Sequence, residues 1–337
     1  MKSDYFINVV QNCNSKEYIK NLTSDALLIY SPTSIKKMNL SNNKILMENW
    51  HNITKNIKKI EYFINQNKTI KEVVSFGGGS TIDIGKYIAY KLNIKFTCIP
   101  TMLSTNSYAT DKVALIKEKQ KITIEAKIPD KIIIDNDLLN LSKEENIYGL
   151  ADVFSIYTAL YDWKVSQNDI DEIINVEIYN MAEKLLKDTL EFVNNNDLED
   201  IVRYNMKLFE FIGTAGYITN IYGNGRPESG SEHIMAKEIE KNIDIPHGIS
   251  VSVGILSMGL MQNRNIEDIL NVINKLKVLE KANKYGLTKE IIEKSFMNLN
   301  VRKDRYTIIN RYKNDNEHKK RILNKLLKII DKEIKIC

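Results

Sequence analysis

Short apolar runs, each cut off by a polar or glycine break, mark the first part of the chain. Ala26-Leu27-Leu28-Ile29-Tyr30 stops at Ser31-Pro32-Thr33 and reads as a buried strand entering a loop. Glu72-Val73-Val74-Ser75-Phe76 runs into Gly77-Gly78-Gly79-Ser80, after which apolar positions recur at a helical period through Ile82, Gly85, Ile88 and Ala89. This is a strand, a glycine turn and a helix. Lys95-Phe96-Thr97-Cys98-Ile99-Pro100 is a third strand candidate, leading into the polar loop Thr101-Met102-Leu103-Ser104-Thr105-Asn106-Ser107. Ile132-Ile133-Ile134 before Asp135-Asn136-Asp137 is a fourth, and residues 113–117 with 121–125 form a hairpin inserted ahead of it. Residues 40–66 carry mixed helical and short strand patterns. Strands alternating with helices predict an α/β domain with a mostly parallel sheet over residues 1–141.

From Ser142 onward the period changes. Residues 153–165, 176–193, 202–218 and 322–334 are long and helix-patterned, so residues 142–337 are expected to form an all-α domain. No internal repeat or low-complexity linker parts the halves, which predicts a packed interface with the active site in the interdomain cleft.

Composition narrows the class. An apolar fraction of 43% lets 337 residues bury a large core, as soluble globular proteins do. The net charge of +5 is spread over interspersed Lys and Glu, without the concentrated basic patch of a nucleic-acid binder. Lys319, Lys320, Arg321, Lys325 and Lys328 alternate with Leu and Ile at helical spacing and read as the solvated face of a terminal helix. Cys13, Cys98 and Cys337 are far apart and include no C-x-x-C pair, which argues against a disulfide framework or a cysteine metal site. Lys2-Ser3-Asp4 lead to no adequate apolar segment for a signal peptide, and no run of eighteen apolar residues exists. The expectation is a cytoplasmic protein with neither membrane nor nucleic acid as partner.

Candidate chemistry rests on few residues. Among four histidines, His233 and His247 stand fourteen positions apart, at the starts of two consecutive helix-patterned segments. Ser229 and Glu232 form an S-x-x-E helix-start pair just before His233. Two imidazoles at neighbouring helix mouths bind a divalent ion if a third ligand joins them; without one they are ordinary polar loop residues. Asp152 lies among apolar neighbours in Tyr148-Gly149-Leu150-Ala151-Asp152-Val153-Phe154-Ser155, where an unpaired carboxylate is costly. A metal neutralises it, and so does an Arg or Lys. The glycine turn offers backbone N–H groups and a helix start to a phosphate, with Ser80 and Thr81 as added donors. It matches neither the dinucleotide fingerprint nor the P-loop spacing, and a plain tight turn serves equally. Asp83 suits capping or ordering of that turn better than a phosphate contact.

Taken in order, Gly77-Gly78-Gly79-Ser80 with Asp83 and Lys86, Pro100-Thr101-x-x-Ser104-Thr105, Gly149-x-x-Asp152, Gly230-Ser231-Glu232-His233 and His247-Gly248 resemble a known set. It is that of the metal-dependent polyol dehydrogenase superfamily, which includes 3-dehydroquinate synthase. Ala151-Asp152, the 158–164 segment, Arg226-Pro227-Glu228-Ser229-Gly230-Ser231-Glu232-His233 and Asp304-Arg305-Tyr306-Thr307-Ile308 are most similar to the sn-glycerol-1-phosphate dehydrogenases. The resemblance implies that Asp152, His233 and His247 bind one divalent metal (Zn, Ni or Fe). It implies that Gly78, Gly79 and Ser80, with Asp83 at the turn, cradle the pyrophosphate of NAD(P)H, and that Thr101, Ser104 and Thr105 line that cofactor. Arg226 and Lys112 are the candidates for a substrate phosphate. Asn106 stands where the family usually carries Asp against substrate hydroxyls, and Ile249 replaces a Glu after His247-Gly248.

The activity implied is reduction of a small phosphorylated ketone of the dihydroxyacetone phosphate type, by a homo-oligomer. Ser31-Pro32-Thr33 offers no carboxylate for a ribose 2′-hydroxyl, and Lys36-Lys37 could meet a 2′-phosphate, so NADPH is favoured over NADH. Exposed helix lysines with no such role are the plainer reading of that pair. Two other activities stay open. The spacing of Lys112 from Asn106 suits an NAD-dependent sugar-phosphate cyclase of the 3-dehydroquinate synthase kind, while Asn106 and Ile249 together suit a nucleotide-binding relative with weakened catalysis.

Overall fold

Among the described residues, eight strands build two sheets in the first part of the chain: β1 (Asn8–Val10), β2 (Ala26–Tyr30), β3 (Leu46–Asn49), β4 (Glu72–Gly77), β5 (Lys95–Pro100), β6 (Lys112–Lys117), β7 (Gln120–Glu125) and β8 (Lys131–Ile133). The computed structural model describes residues 8–10, 13–38, 46–118 and 120–334. Cys337, Lys2-Ser3-Asp4, part of the 40–66 segment and the side chain of Lys37 lie outside the described residues. The chain divides into two compact units, Met1–Asn146 and Ile147–Cys337.

In the first unit, six strands pair in parallel in the order β1-β8-β5-β4-β2-β3. Helices cross over between them, which is why β2 and β4 read as continuous apolar runs rather than alternating ones: both faces are covered. Leu28, Val74, Phe76, Ile99 and Ile133 form the centre of that core, each essentially inaccessible. Burying one such side chain is worth about 1.5–3 kcal/mol. The short strands β1 and β3 carry too few residues to show a pattern in the sequence. The 112–125 hairpin forms its own two-stranded antiparallel sheet.

The strand order reverses direction once. From β2 the chain steps outward to β3, returns past β2 to β4, and then moves steadily the other way. Open α/β sheets bind ligands at such a reversal, outside the carboxyl ends of the strands. The register fixes what stands there: Tyr30 lies opposite Phe76, and Gly77 opposite Pro100. The loops that begin at Ser31, Gly78 and Thr101 therefore leave the sheet side by side. Ser31 N donates to Phe76 O (3.0 Å) and Thr101 N to Gly77 O (3.1 Å), tying the three exits together.

The second unit contains no strand among the described residues. Its principal helices are Ile156–Ile170, Val176–Asn195, Asn205–Tyr222, Ser231–Glu240, His247–Met261 and Asn316–Ile334. The His247–Met261 helix is buried on nearly every face from Gly248 to Met261, as a run of apolar and small residues without a charge demands. The segment expected as one helix over 153–165 is two, Leu150–Phe154 and Ile156–Ile170, parted at Ser155. The Ser155 hydroxyl turns back onto Asp152 O (2.7 Å) and also donates to Glu228 O. The terminal helix departs from expectation at one residue. Lys320, Arg321, Lys325 and Lys328 are exposed, but Lys319 is buried and its ammonium caps Lys313 O at 2.7 Å. Among the described residues no helix is long and apolar enough to cross a membrane.

Candidate metal centre

Three segments of the second unit bring one ligand atom each to a common point. Asp152 rides on the short Leu150–Phe154 helix, His233 is the third residue of Ser231–Glu240, and His247 opens His247–Met261. Asp152 Oδ1 lies 3.7 Å from His233 Nε2 and 3.6 Å from His247 Nε2. All three ligand atoms fall within 4.8 Å of one another. Such gaps are long for hydrogen bonds, yet they suit atoms sharing an ion, since tetrahedral ligands at ordinary Zn–N and Zn–O distances stand about 3.4 Å apart. Asp152 is buried and both rings are part-buried.

What lies behind the rings strengthens the fit. His233 Nδ1 bonds Glu232 Oε1 at 2.7 Å, and His247 Nδ1 bonds Glu240 Oε1 at 2.5 Å. A carboxylate at Nδ1 keeps the proton there and leaves the Nε2 lone pair aimed at Asp152. Both carboxylates are themselves held. Glu232 accepts from Gly230 N (2.5 Å) and the Thr158 hydroxyl (2.7 Å), while Glu240 accepts from the Ser250 hydroxyl (2.8 Å). The electrostatics agree. Burial alone would pull His233 below its usual value, but Asp152 and Glu232 outweigh it and raise the ring to about 9. Burial would raise Glu232, yet His233, the Gly230 amide and Thr158 hold it below the ordinary carboxylate range. Two imidazoles and a carboxylate in a negative field could hold a divalent cation.

The start of the His233 helix is built differently from the expected Ser229–Glu232 pair. Its N-cap is Gly230, and Glu232 reaches back to that residue's own N–H. The next amide, Ser231 N, donates to the buried Asp162 Oδ2 at 2.6 Å. Asp162 also accepts from Ile308 N (2.9 Å) and Gln262 Nε2 (3.1 Å). Burial and the nearby Glu232 raise Asp162 to about 6, with the Ser231 and Ile308 donors opposing the shift.

Arg226, expected at a substrate phosphate, is enclosed by protein groups. It is 2% exposed and its guanidinium is engaged internally, by Glu172 Oε2 (2.8 Å), Tyr306 O (2.8 Å) and Asp162 O (3.2 Å). Burial lowers it somewhat, with Glu172 and Asp162 resisting. Ile249, where a Glu was the family's habit, is fully covered in the core.

In the first unit the glycine turn and the loop after β5 meet. Gly78 caps the Gly79–Leu92 helix, and a Cβ on Gly79 would stand 2.9 Å from the Thr105 hydroxyl. Thr105 caps the turn Asn106–Tyr108, and its hydroxyl donates to Ser107 Oγ at 3.1 Å. Thr101 takes the Ser34 hydroxyl at 3.0 Å. Asp83 is buried and bonds Lys55 Nζ (2.8 Å) and Ala114 N (3.3 Å), which ties the Gly79–Leu92 helix to the 112–125 hairpin. The ammonium of Lys112 rests on Asp111 at 3.3 Å.

Three residues in these sites had no assigned role in the sequence. Glu232 and Glu240 orient the imidazoles; Glu232 is visible only as the neighbour of His233, and no spacing rule links Glu240 to His247. Lys86, buried in the Gly79–Leu92 helix, donates to Ser107 O (2.5 Å), Thr110 O (2.6 Å) and Lys112 O (3.0 Å). Burial brings its ammonium down to about 8, against the pull of Asp83 and Asp111. It pins the whole loop that carries Thr105 and Asn106.

Comparison with known proteins agrees with this arrangement. The profile of the iron-containing alcohol dehydrogenases matches residues 23–142. The chain is 30% identical over 260 residues to the glycerol-1-phosphate dehydrogenase (NAD(P)+) of Picrophilus torridus, covering 75% of this chain and 73% of that one. It is 28% identical over 321 residues to the protein of the same name from Methanococcus aeolicus, covering 86% and 90%. In fold it is similar to a probable glycerol dehydrogenase from Sinorhizobium meliloti, with a TM-score of 0.68 at 15% identity over 96% of this chain and 98% of that one. A parallel sheet that reverses beside a glycine turn, a helical unit that gathers Asp152, His233 and His247, and this extent of shared sequence place the chain in the glycerol-1-phosphate dehydrogenase family.

Proposed function

We propose that the chain is a metal-dependent, NAD(P)H-linked oxidoreductase that interconverts a small phosphorylated ketone and its alcohol, of the dihydroxyacetone phosphate and glycerol-1-phosphate type. The observation that carries this reading is the convergence of Asp152 Oδ1, His233 Nε2 and His247 Nε2, each ring backed at Nδ1 by a carboxylate.

When bound, the divalent ion supplies Lewis acidity to a carbonyl oxygen, and the nicotinamide supplies hydride. The chain does the positioning. Asp152, His233 and His247 hold the ion, and Glu232 and Glu240 keep both rings in the ligating tautomer. The backbone amides of Gly78, Gly79 and Ser80, at the start of a fourteen-residue helix, bind the cofactor's pyrophosphate. Thr101, Ser104 and Thr105 line the cofactor, and Lys86 fixes the backbone of their loop. Asn106 offers a substrate hydroxyl a neutral hydrogen-bonding partner in place of a charged one.

NADPH is the favoured cofactor. The Pro32–Met38 helix follows β2 at the strand reversal, and it presents the exposed Lys36 and no carboxylate. Among ions, the imidazole pair favours Zn²⁺, Ni²⁺ or Fe²⁺ over Mg²⁺. Purified protein should retain an ion, measured by plasma mass spectrometry, and should oxidise NADPH when given dihydroxyacetone phosphate. Asp152→Asn and His233→Ala should lose both properties. Full turnover in either variant after chelation would refute the reading, and phosphate release with no net change in nicotinamide absorbance would point to a cyclase instead.

A further inference from the structure

Arg226, Arg302 and Arg311 each face a carboxylate: Glu172 at 2.8 Å, Asp304 at 2.6 Å and Asp169 at 2.6 Å. Arg305 faces none among the described residues. It lies in the stretch between the Lys289–Met297 and Ile308–Tyr312 helices and leans on the loop that leads to the His233 helix. Its Nη1 donates to Gly225 O (3.1 Å) and to Ser229 O, four residues ahead of His233. A guanidinium carries five N–H groups on three nitrogens, in a planar fork. Both protein bonds come from one of those nitrogens. Nε and Nη2, the edge that matches two oxygens of a phosphate, have no protein partner among the described residues.

The setting favours an anion. Burial, Arg302 and Arg226 together bring Arg305 down to about 10, and the carboxylates that act on it from further away, Asp304 and Glu232, are already bonded to Arg302 and His233. A desolvated cation beside two others gains most from a ligand that brings its own negative charge.

We propose that Arg305 is the residue that holds the phosphate of the substrate, through its Nε and Nη2 edge, while the ketone end faces the Asp152–His233–His247 centre. This rests on the reading of the chain as a reductase of a phosphorylated ketone. It transfers to Arg305 the role that the sequence suggested for Arg226, whose guanidinium is committed to Glu172.

The test compares dihydroxyacetone phosphate with unphosphorylated dihydroxyacetone in the metal-loaded full-length enzyme and in Arg305→Gln and Arg305→Lys. Losing a bidentate charged contact should raise KM for the phosphorylated ketone by about 10- to 100-fold. Arg305→Lys should fall between the wild type and Arg305→Gln. Turnover of dihydroxyacetone, KM for NADPH and metal content should change far less than KM for the phosphorylated ketone, and inhibition by inorganic phosphate should be lost. An unchanged KM for the phosphorylated ketone overturns the assignment. Equal losses on both ketones, or loss of the ion, also overturn it by making Arg305 a brace for the 225–229 loop. A rise in KM for NADPH but not NADH would give Arg305 to the cofactor's phosphate instead. If the wild type reduces neither ketone, the parent reading fails independently of Arg305.

Discussion

At the scale of single residues, the carboxylates behind the two imidazoles, Glu232 and Glu240, set how well those rings would serve as ligands. Glu240 spans from His247 Nδ1 to the Ser250 hydroxyl, so it sets both the tautomer and the rotation of a ligand at the very start of a helix. Glu240→Gln keeps the size and loses the charge. We expect a weakening of metal affinity by about 10- to 100-fold, with the fold intact, as seen generally for such partners. Competition with a chromogenic chelator reads it, and unchanged affinity would reduce Glu240 to a local brace. Cys98 makes a separate prediction. Burial on β5 pushes its thiol up to about 12, from 9.0. The folded chain therefore keeps a proton that the unfolded chain gives up between those values, and stability falls as pH rises through that window. At pH near 8 the buried thiol is neutral and shielded, so iodoacetamide should label Cys98 only after unfolding, a difference peptide mass spectrometry detects.

Elements set the distance between the two rings. The Ser231–Glu240 and His247–Met261 helices approach so closely that a Cβ on Gly254 would sit 2.3 Å from Glu232 O, a backbone atom that cannot swing away. Gly254→Ala should cost about 1–3 kcal/mol as overpacking does. Because the displaced backbone is that of Glu232, the ion should also bind more weakly. Urea unfolding with a metal titration on the same variant tests both, and an ion bound as tightly as in the wild type would separate packing from the centre. This contact also shows where sequence stops being informative. The buried strands were legible because apolar runs ended at polar or glycine breaks, and the three ligand candidates because histidines are few and their order resembled a family. Glu240 was not: it meets His247 only because the chain doubles back between the two helices. Nor was Lys319, a charge on a helix face read as solvated but covered by tertiary packing. Ser155 hid a break inside a pattern that looked continuous, since its hydroxyl satisfies backbone carbonyls that periodicity does not report.

For the whole molecule, the proposed ion site is one that no single stretch of the chain can supply alone. Asp152 and His247 are ninety-five positions apart, and an unfolded chain offers no such trio. Ion binding is then coupled to folding, and free ion at a hundred times its dissociation constant adds about 2.7 kcal/mol to stability. The melting temperature should climb with added Zn²⁺ or Fe²⁺ and drop on dialysis against a chelator, and should respond to neither in Asp152→Asn. Scanning calorimetry at several ion concentrations would show it, and a midpoint indifferent to the ion would argue against the centre. With an ion bound, the Asp152–His233–His247 cluster would act as a removable cross-link, closing one loop of eighty-one residues and another of fourteen at a single atom. Losing that ion would loosen the tether between residues 152 and 247 in the same step that silences the chemistry.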